Sequence, residues 1–424
     1  MTEHLSVARW LDQDQSGRSL PQGLYVSREA FEFDTQVMLK QVWLFACTVA
    51  HVKHPGDYYL FEMAKTSVII VRGKDGAVRA FHNSCAHRGA KLCSQASGSS
   101  ARIMCPYHQW TYGLDGRLLA ARNMPEGFDK ADNGLREVNL ANIGGLIFIC
   151  LSDDPPPIEH VAADIAERTE IYNLDRCKVA VQDELVEHAN WKLVMENNRE
   201  CYHCDVNHPE LLHSLSTSGF GKGLPGDEAD AAQGTQFEEF LDERQAAWRE
   251  AGLYTHLVEF PEGSWHRVVR LPLANGAHSQ TIDGQPASRL PICDYPGTED
   301  SSLSVWTQPN SWHHFCHDHV VTFSLTPLDA DRSLLRTSWL VHEDAVEGVD
   351  YDPVNLAAVW RATNAQDGAL SELNHAGIAT DGYRPGVYSL EEKLVDAFKS
   401  FYVDTARAAL AGGSTVQREG SAQS

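Results

Sequence analysis

Two short clusters of cysteine and histidine are the first residues in this sequence whose types and spacing could do chemistry. Cys85 and His87 stand one residue apart in C-A-H-R-G, and Cys105 and His108 stand two residues apart in C-P-Y-H. Each cluster offers one thiolate and one imidazole, which are side chains that bind zinc and iron. The two clusters together therefore predict one metal centre with four protein ligands.

Two kinds of metal centre fit such a ligand set. Four nitrogen and sulfur donors could hold zinc in a structural knuckle. Alternatively, two thiolates could bind one iron and two neutral histidines the other iron of a Rieske [2Fe–2S] cluster, in which the imidazoles raise the reduction potential. The narrow form C-x-H-R-G followed by C-P-Y-H favours the Rieske cluster.

A second polar segment lies at residues 200–209, where a packing helix should be apolar. His203 and His208 are five residues apart, which is about 140° of rotation on a regular helix, so they do not share a face. Both could bind one ion only if the helix is distorted or ends between them, and Pro209 agrees with an end nearby. Glu200 precedes His203 by three residues on the same face and offers a carboxylate partner for its imidazole.

A third ligand is needed to complete this second site. Two histidines and one carboxylate form the facial triad that binds mononuclear non-haem iron and leaves positions open for dioxygen. Asp367, in a late predicted helix, is the best candidate for the carboxylate. The alternative is that Asp367 lies on a solvated face of that helix.

The segments that carry these residues differ in their pattern, which predicts the elements that position them. Residues 47–152 are short alternating runs separated by glycine turns, the pattern of a small β domain. The rest mixes helical spacing with further strands, so we expect an α+β fold with an antiparallel sheet in the second half. The predicted helices are 28–47, 158–172, 191–207, 237–251, 351–376 and 390–409; the later strands are 179–189, 303–307, 319–325 and 334–340; residues 216–236 are a predicted loop.

The composition limits the classes of function. The 424 residues include 35 basic and 58 acidic residues, a net charge of −23. Such a chain repels nucleic-acid phosphates and anionic membranes, so neither is an expected partner, whereas a cationic small molecule is allowed. No apolar run reaches the roughly 18 residues of a membrane span, and no signal peptide is evident. We therefore expect a cytoplasmic protein whose ten cysteines are thiols or metal ligands, without disulfides.

The chain resembles the catalytic (alpha) subunit of the Rieske non-haem iron oxygenases, the ring-hydroxylating oxygenase superfamily. The resemblance covers essentially the whole chain in the expected order. The two cysteine–histidine clusters come first, the motif E/D-x2-H-x4-H follows at Glu200, His203 and His208, and Asp367 comes late. The joint occurrence of these motifs is more specific than either one alone.

The same resemblance implies the domain organisation. A β-rich Rieske domain is expected at residues 47–155. A helix-grip catalytic domain with an antiparallel sheet is expected from residues 156–411, with residues 1–46 as its N-terminal helical part. Residues 412–424 are expected to be a disordered tail.

Two cofactors are also implied, a Rieske [2Fe–2S] cluster and a mononuclear Fe(II). Glu200 falls where the family has a carboxylate that links a cluster histidine of one subunit to an iron-bound histidine of its neighbour in a trimer. Such a hydrogen-bonded bridge supplies a short electron path and tunes ligand basicity. The implied ligands are Cys85 and Cys105 on one cluster iron, His87 and His108 on the other, and His203, His208 and Asp367 on the Fe(II).

The bridging residue also bears on the substrate. Most of the family has aspartate there, and the glutamate at position 200 resembles the branch that oxidises quaternary ammonium compounds. The segments N-W-K-L at 190–193, E-N-N-R-E-C-Y-H-C at 196–204 and G-Y-R-P-G at 382–386 share this resemblance. It implies a monooxygenase, supplied with electrons by an NAD(P)H-dependent flavin and iron–sulfur reductase, that hydroxylates an N-methyl group. Glycine betaine is the expected substrate, giving dimethylglycine and formaldehyde; stachydrine or carnitine-type betaines are alternatives.

Three residues are predicted to contact the substrate. A trimethylammonium group donates no hydrogen bond and is best held by aromatic faces. Trp312 and His314 alternate in an extended run and would share a face with Asp318, so that Trp312 could meet the cation and His314 the carboxylate. Tyr202 sits beside a predicted iron ligand. The alternative is a strand with one core tryptophan and exposed histidines.

Three other functions fit parts of the sequence. A dioxygenase that dihydroxylates an aromatic ring would share every metal ligand, although the glutamate bridge argues against it. An electron-transfer Rieske protein would use the first metal centre and would not need His203, His208 or Asp367. A structural zinc protein would use the first four ligands without iron.

Overall fold

The structure of the protein is a computed structural model that describes residues 5–215, 228–253, 255, 265–293 and 295–412, with side chains left undescribed at 228–238. Residues 216–227 of the predicted loop and residues 413–424 of the predicted tail lie outside the described part. The α+β fold is as predicted, because helices and antiparallel sheets occur together.

The first half of the chain forms two antiparallel sheets that carry the cysteine–histidine clusters. The larger has seven strands in the order β1-β10-β9-β4-β3-β2-β5, and the smaller has three in the order β6-β7-β8. The clusters lie in the loops beside the small sheet, so that a rigid β scaffold holds them. The strands are β1 (Leu44–Thr48), β2 (Asp57–Met63), β3 (Thr66–Arg72), β4 (Val78–His82), β5 (Ser97–Ser99), β6 (Ile103–Met104), β7 (Thr111–Tyr112), β8 (Leu118–Ala120), β9 (Glu137–Ile143) and β10 (Leu146–Cys150).

The second half is built on a six-stranded antiparallel sheet in the order β11-β16-β15-β14-β13-β12. Its central strands are buried along their whole length, with serine and threonine side chains among the apolar ones. The strands are β11 (Cys177–Glu187), β12 (His266–Pro272), β13 (Ser301–Thr307), β14 (Ser311–Phe315), β15 (Val320–Pro327) and β16 (Ser333–His342).

Helices cover this sheet, and the longest one carries Asp367. Helix α8 begins after Asp352, whose side chain accepts from the Val354 N–H, and has proline at its first position. It packs on β11 and β16, where Asn364 Nδ2 donates to Thr337 Oγ1 at 2.9 Å. The helices are α1 (Leu5–Asp12), α2 (Gln22–Val26), α3 (Arg28–Phe33), α4 (Glu159–Thr169), α5 (Trp191–Asn198), α6 (Cys204–Asn207), α7 (Glu228–Glu250), α8 (Pro353–Ile378) and α9 (Lys393–Leu410).

Two helix predictions were wrong at their boundaries. The predicted helix at 28–47 is helical only to residue 41, with a π-helical turn at Asp34–Met38, and continues as strand β1. That turn lies where buried Asp34 accepts hydrogen bonds from Trp191 Nε1 and Lys192 Nζ, so a long-range polar contact overrides the local apolar period. Helix α7 begins nine residues earlier than predicted, because the alanines after residue 228 favour helix.

Within the described ranges, no helix combines the length and the apolar character that a membrane crossing requires.

Candidate metal centres

The first metal centre is formed by two loops of the same design. In one, the Cys85 N–H donates to the Ala90 carbonyl at 2.9 Å; in the other, the Cys105 N–H donates to the Trp110 carbonyl at 2.8 Å. Gly89 adopts a φ of 76°, a left-handed conformation that glycine takes at little cost. The matching turns place both thiols on the inside, where they are buried.

The two histidines of these loops lie at the surface. The His87 and His108 rings are exposed, with centroids 4.7 Å apart, and His87 stacks on Trp110 at 4.7 Å. A second contact joins the loop tips, since Arg88 Nη1 donates to Tyr107 Oη at 3.4 Å. All four predicted ligands therefore come together, with sulfur donors inside and nitrogen donors outside.

This donor set fits a Rieske cluster. The Tyr112 hydroxyl accepts from the Ala86 N–H at 3.1 Å and lies 3.2 Å from Cys85 Sγ, so its proton can be directed at the sulfur. Hydrogen bonds to cluster sulfurs are one of the factors that set the reduction potential. The two buried thiols would hold one iron of the cluster and the two imidazoles the other.

The second metal centre depends on a helix that ends early. Helix α5 stops at Asn198, and the one-turn helix α6 runs from Cys204 to Asn207, with His203 at its N-cap and His208 at its C-cap. The predicted continuous helix at 191–207 was wrong, because residues 199–203 are not helical; the helix end predicted near Pro209 is present, since α6 ends at Asn207. Because His208 leaves the helical conformation, with φ of −122° and ψ of 62°, both imidazoles come to one point, which a regular helix would not allow.

Three donor atoms converge at that point. His203 Nε2 lies 2.9 Å from His208 Nε2 and 3.1 Å from Asp367 Oδ1, and His208 Nε2 lies 3.0 Å from the same oxygen. An octahedral ion with bonds of about 2.1 Å needs three facial donors about 3.0 Å apart, so the triangle fits a facial triad. Asp367 is therefore held at the site and does not lie on a solvated face of α8.

Side chains around the triangle hold its members in place. Glu200 Oε1 accepts from His203 Nδ1, and Asn197 Nδ2 donates to Asp367 Oδ1 at 2.8 Å. With Nδ1 protonated, the Nε2 lone pair of His203 faces the centre of the triangle. The sequence pattern singled out Glu200 but not Asn197, whose only signal was its place one turn before the motif.

The charges of this site favour a cation. Burial alone would lower the pKa of His203, but its hydrogen bonds to Asp367 and Glu200 raise that pKa to about 9. Burial alone would raise the pKa of Asp367, but its hydrogen bonds to the two histidines lower it. An environment that stabilises a proton among three donors also stabilises a divalent metal ion.

The prediction that the chain has no disulfide was wrong at one position. Cys201 and Cys204 form a disulfide, with Cα atoms 4.9 Å apart, across the loop that contains His203. Three-residue spacing in a tight turn brings the two thiols within bonding reach. The other eight cysteines are thiols, including the predicted cluster ligands. Because its sulfur is in the disulfide, Cys204 is not a free thiolate ligand beside the two histidines.

Comparison with known proteins identifies the family. The Rieske [2Fe-2S] domain matches residues 42–139, and the ring hydroxylating alpha subunit (catalytic domain) matches residues 174–408. The chain belongs to the Rieske ring-hydroxylating oxygenase alpha subunits. A Rieske cluster and a mononuclear iron are the cofactors of this family, in agreement with the two donor sets.

Three similar proteins show which members of this family the chain resembles. The chain is 41% identical over 404 residues to the glycine betaine monooxygenase oxygenase subunit of Chromohalobacter salexigens, covering 94% of this chain and 88% of that protein. It is 31% identical over 206 residues to the carnitine monooxygenase oxygenase subunit of Acinetobacter pittii, covering 48% of this chain and 56% of that one. The fold is shared with the structure of a quaternary ammonium Rieske monooxygenase described for carnitine oxidation and inter-subunit electron transfer. The TM-score is 0.69 at 22% identity, and the match covers 94% of this chain and 98% of that one.

In this Rieske oxygenase, the three predicted substrate contacts lie in different surroundings. Trp312 and His314 share one face of β14, opposite Trp306 and Ser304 of β13, as predicted. Tyr202, in contrast, is 59% exposed. Asp318 was predicted on the same face but lies beyond the end of β14, where its carboxylate accepts from two backbone N–H groups.

Buried aromatic rings surround the two strand residues. Trp312 stacks on Phe323 at 5.0 Å, and His314 stacks on Trp360 of α8 at 4.6 Å. Trp360 and Asp367 are seven residues apart on α8, hence on one face of the helix. Burial lowers the pKa of His314 to about 3, so this imidazole is neutral. The predicted histidine can donate a hydrogen bond to a carboxylate but brings no positive charge.

Positive charge comes instead from two arginines that the sequence pattern did not single out. The guanidinium groups of Arg199 and Arg267 each lie 4.9 Å from the Trp306 ring centroid, and both side chains are buried. Among the described residues, no carboxylate forms an ion pair with Arg199, whose Nη2 donates to the Thr307 and Ser311 carbonyls. A buried guanidinium in this state is suited to an anionic ligand group.

A cavity of about 350 Å³ reaches the iron site beside Glu200 and His203. Its lining includes Tyr25, whose hydroxyl donates to Glu196 Oε1 at 2.8 Å. Burial raises the pKa of Glu196 to about 8, and the Tyr25 hydrogen bond only partly offsets this. Glu200 and His203 both line this partly open cavity.

Glu187, at the end of β11, gives a pH-dependent stability that can be measured. It is buried beneath Gly368 of α8, and burial, followed by the charges of Asp367 and Glu372, raises its pKa to about 8. The folded state therefore binds more protons than the unfolded state between pH 4.5 and 8, and stability falls as pH rises through that window. Across that window the free energy of unfolding should fall by an amount on the order of a few kcal/mol, and we expect Glu187→Gln to remove this fall.

Urea unfolding of the metal-loaded protein from pH 5 to pH 8 checks this expectation, with Glu137→Gln at an exposed strand position as the control. An unchanged decline in Glu187→Gln would contradict it.

Proposed function

We propose that this Rieske oxygenase hydroxylates an N-methyl group of glycine betaine and so yields dimethylglycine and formaldehyde. The observation that carries the proposal is the triangle of His203, His208 and Asp367 donors, about 3 Å apart, in a chain with 41% identity along 94% of its length to a protein named for glycine betaine oxidation. The site residues predicted from the sequence keep their proposed roles.

The reaction needs two electrons, two protons and one dioxygen for each methyl group hydroxylated, and the carbinolamine then releases formaldehyde. When bound, the cluster supplies single electrons and the iron supplies dioxygen activation. Cys85, Cys105, His87 and His108 would hold the cluster, and His203, His208 and Asp367 the iron. Glu200 would orient His203 and connect it to a cluster histidine at position 108 of a second subunit.

The surroundings of Trp312 support a betaine as the substrate. A quaternary ammonium group gains about 0.5–2 kcal/mol from each aromatic face, more when it is desolvated. Neutral His314 would not repel that cation, and Trp312 and Tyr202 are the proposed aromatic contacts. The Arg199 guanidinium beside Trp306, with which no carboxylate of the described residues forms an ion pair, suits a carboxylate at the other end of the molecule.

The proposal includes partners and a location. An NAD(P)H-dependent flavin and iron–sulfur reductase would supply electrons. A homotrimer would place the cluster of one subunit against Glu200 of the next, and Glu200 lines a partly open cavity. We propose the cytoplasm as the location, in keeping with the eight cysteines that are free thiols.

A second candidate substrate class is carnitine or stachydrine. The likeness to the carnitine monooxygenase oxygenase subunit over 48% of this chain favours keeping it as the alternative. Both classes are quaternary ammonium carboxylates and would use the same pocket chemistry.

A single-turnover assay tests the proposed function without the native reductase. Iron-loaded protein reduced with dithionite is freed of excess reductant, mixed with oxygenated buffer and one substrate, and assayed for formaldehyde. Glycine betaine should give the highest yield. Choline, which has the same trimethylammonium group but no carboxylate, should give at least about tenfold less because it lacks the ionic partner for Arg199.

Other substrates separate the alternatives in the same assay. A higher yield from carnitine or stachydrine would replace glycine betaine as the substrate. A ring diol from benzoate, with no formaldehyde from any betaine, would overturn N-demethylation.

A further inference from the structure

The two iron-binding imidazoles have different partners on their outer nitrogens. His203 Nδ1 contacts the Glu200 carboxylate directly. His208 Nδ1 lies 2.8 Å from Gln366 Oε1, and Gln366 Nε2 donates to Glu210 Oε2 at 2.8 Å. A neutral amide therefore stands between His208 and the nearest carboxylate in this relay.

The order of atoms in the relay has a definite direction. An ionised carboxylate only accepts hydrogen bonds, so the Gln366 NH2 group must face Glu210 and the amide oxygen must face His208. An amide oxygen also only accepts, so His208 must carry its proton on Nδ1. The lone pair on His208 Nε2 is then directed at Asp367 Oδ1 and His203 Nε2, where the metal ion belongs.

We propose that Gln366 and Glu210 are positioning residues that select the metal-binding tautomer of His208. This inference rests on the proposed function for the identity of the metal as Fe(II). The predicted ligand spacing does not reveal the relay, because Glu210 and Gln366 are 156 residues apart and meet only when α8 lies against the loop after α6.

The amide also has an electrostatic role in this arrangement. Asp367 and Glu200 already bring two negative charges, which balance a divalent ion. Direct contact between Glu210 and His208 would add a third charge next to the metal, whereas the amide transmits orientation without one. The relay thus leaves the charge balance of the site at neutrality.

Metal affinity measured on the full-length protein tests the relay. Apoprotein with an intact cluster is titrated anaerobically with Fe(II), and with Co(II), whose visible absorption reports the ligand geometry. Gln366→Leu should weaken both affinities about 10–100-fold, the usual effect of losing such a partner, with cluster absorbance unchanged. Asn355→Leu, at a half-buried amide three turns earlier on α8, is the control and should leave both affinities unchanged.

Exchanging the amide and the carboxylate between positions 366 and 210 tests the relay without removing a side chain from the site. In Gln366→Glu, two carboxylates face each other and neither can donate a hydrogen bond. In Glu210→Gln, two amides face each other, so the hydrogen bond between them can run in either direction. Each single variant should therefore bind metal more weakly. The double variant places a carboxylate next to His208 Nδ1–H and an amide donor at 210, and should bind more tightly than Gln366→Glu alone.

Two results would overturn the inference: unchanged metal affinity in Gln366→Leu, or no recovery in the double variant. Failure of the proposed function is distinguishable from both. If no betaine is demethylated while Gln366→Leu still weakens Fe(II) binding, the substrate is wrong and the relay stands.

Discussion

Replacing Glu200 by alanine is expected to slow turnover about 100-fold while the Rieske absorbance stays intact. Glu200 Oε1 contacts His203 Nδ1, and Oε2 accepts from the Tyr202 and His203 backbone N–H groups. The carboxylate is therefore fixed by the start of the loop that carries the iron ligand. Losing it removes the proposed electron path and the group that orients His203.

Rapid-mixing spectroscopy separates those two effects. The reduced cluster should be reoxidised by dioxygen and substrate far more slowly in Glu200→Ala than in the parent, at equal iron content. Glu200→Asp, the residue most of the family has at this position, should retain more activity than alanine because it keeps a carboxylate one methylene shorter. If the reoxidation rate in iron-matched Glu200→Ala equals that of the parent, electrons take another path.

Replacing His203 by alanine is expected to remove the mononuclear iron without loss of the cluster. Three donors converge within 3.1 Å of one another, so removal of one leaves only His208 and Asp367, and Glu200 then has no imidazole to orient. The iron content found by metal analysis should fall from about three irons per chain to about two, and formaldehyde production should be lost.

The control for this prediction is His188→Ala, because His188 is an exposed histidine of the same half of the chain. It should keep about three irons and full activity. Three irons in His203→Ala would mean that the donors assigned to the facial triad are not the iron ligands. Two irons in the parent protein after reconstitution with Fe(II) would instead favour an electron-transfer protein.

The sequence alone was sufficient where chemistry depends on neighbouring residues. The C-x-H and C-P-Y-H loops each carry two candidate ligands on one short turn, so residue type and spacing already predict the donor set whose side chains the structure brings together. The same holds for Glu200 and His203, three residues apart in one motif. The strands at 303–307 and 319–325 were predicted well because alternation and β-branched runs are local signals.

The tertiary structure decided what depends on convergence. Helix α6 had to end before His208 for the two histidines to meet, and Asp367 reaches them from 164 residues beyond His203 only because α8 lies across the sheet. The Gln366 relay and the arginines on Trp306 arise in the same way. Hydrogen bonds and ring contacts between distant segments depend on how helices and sheets pack, and periodicity along the chain does not encode that packing.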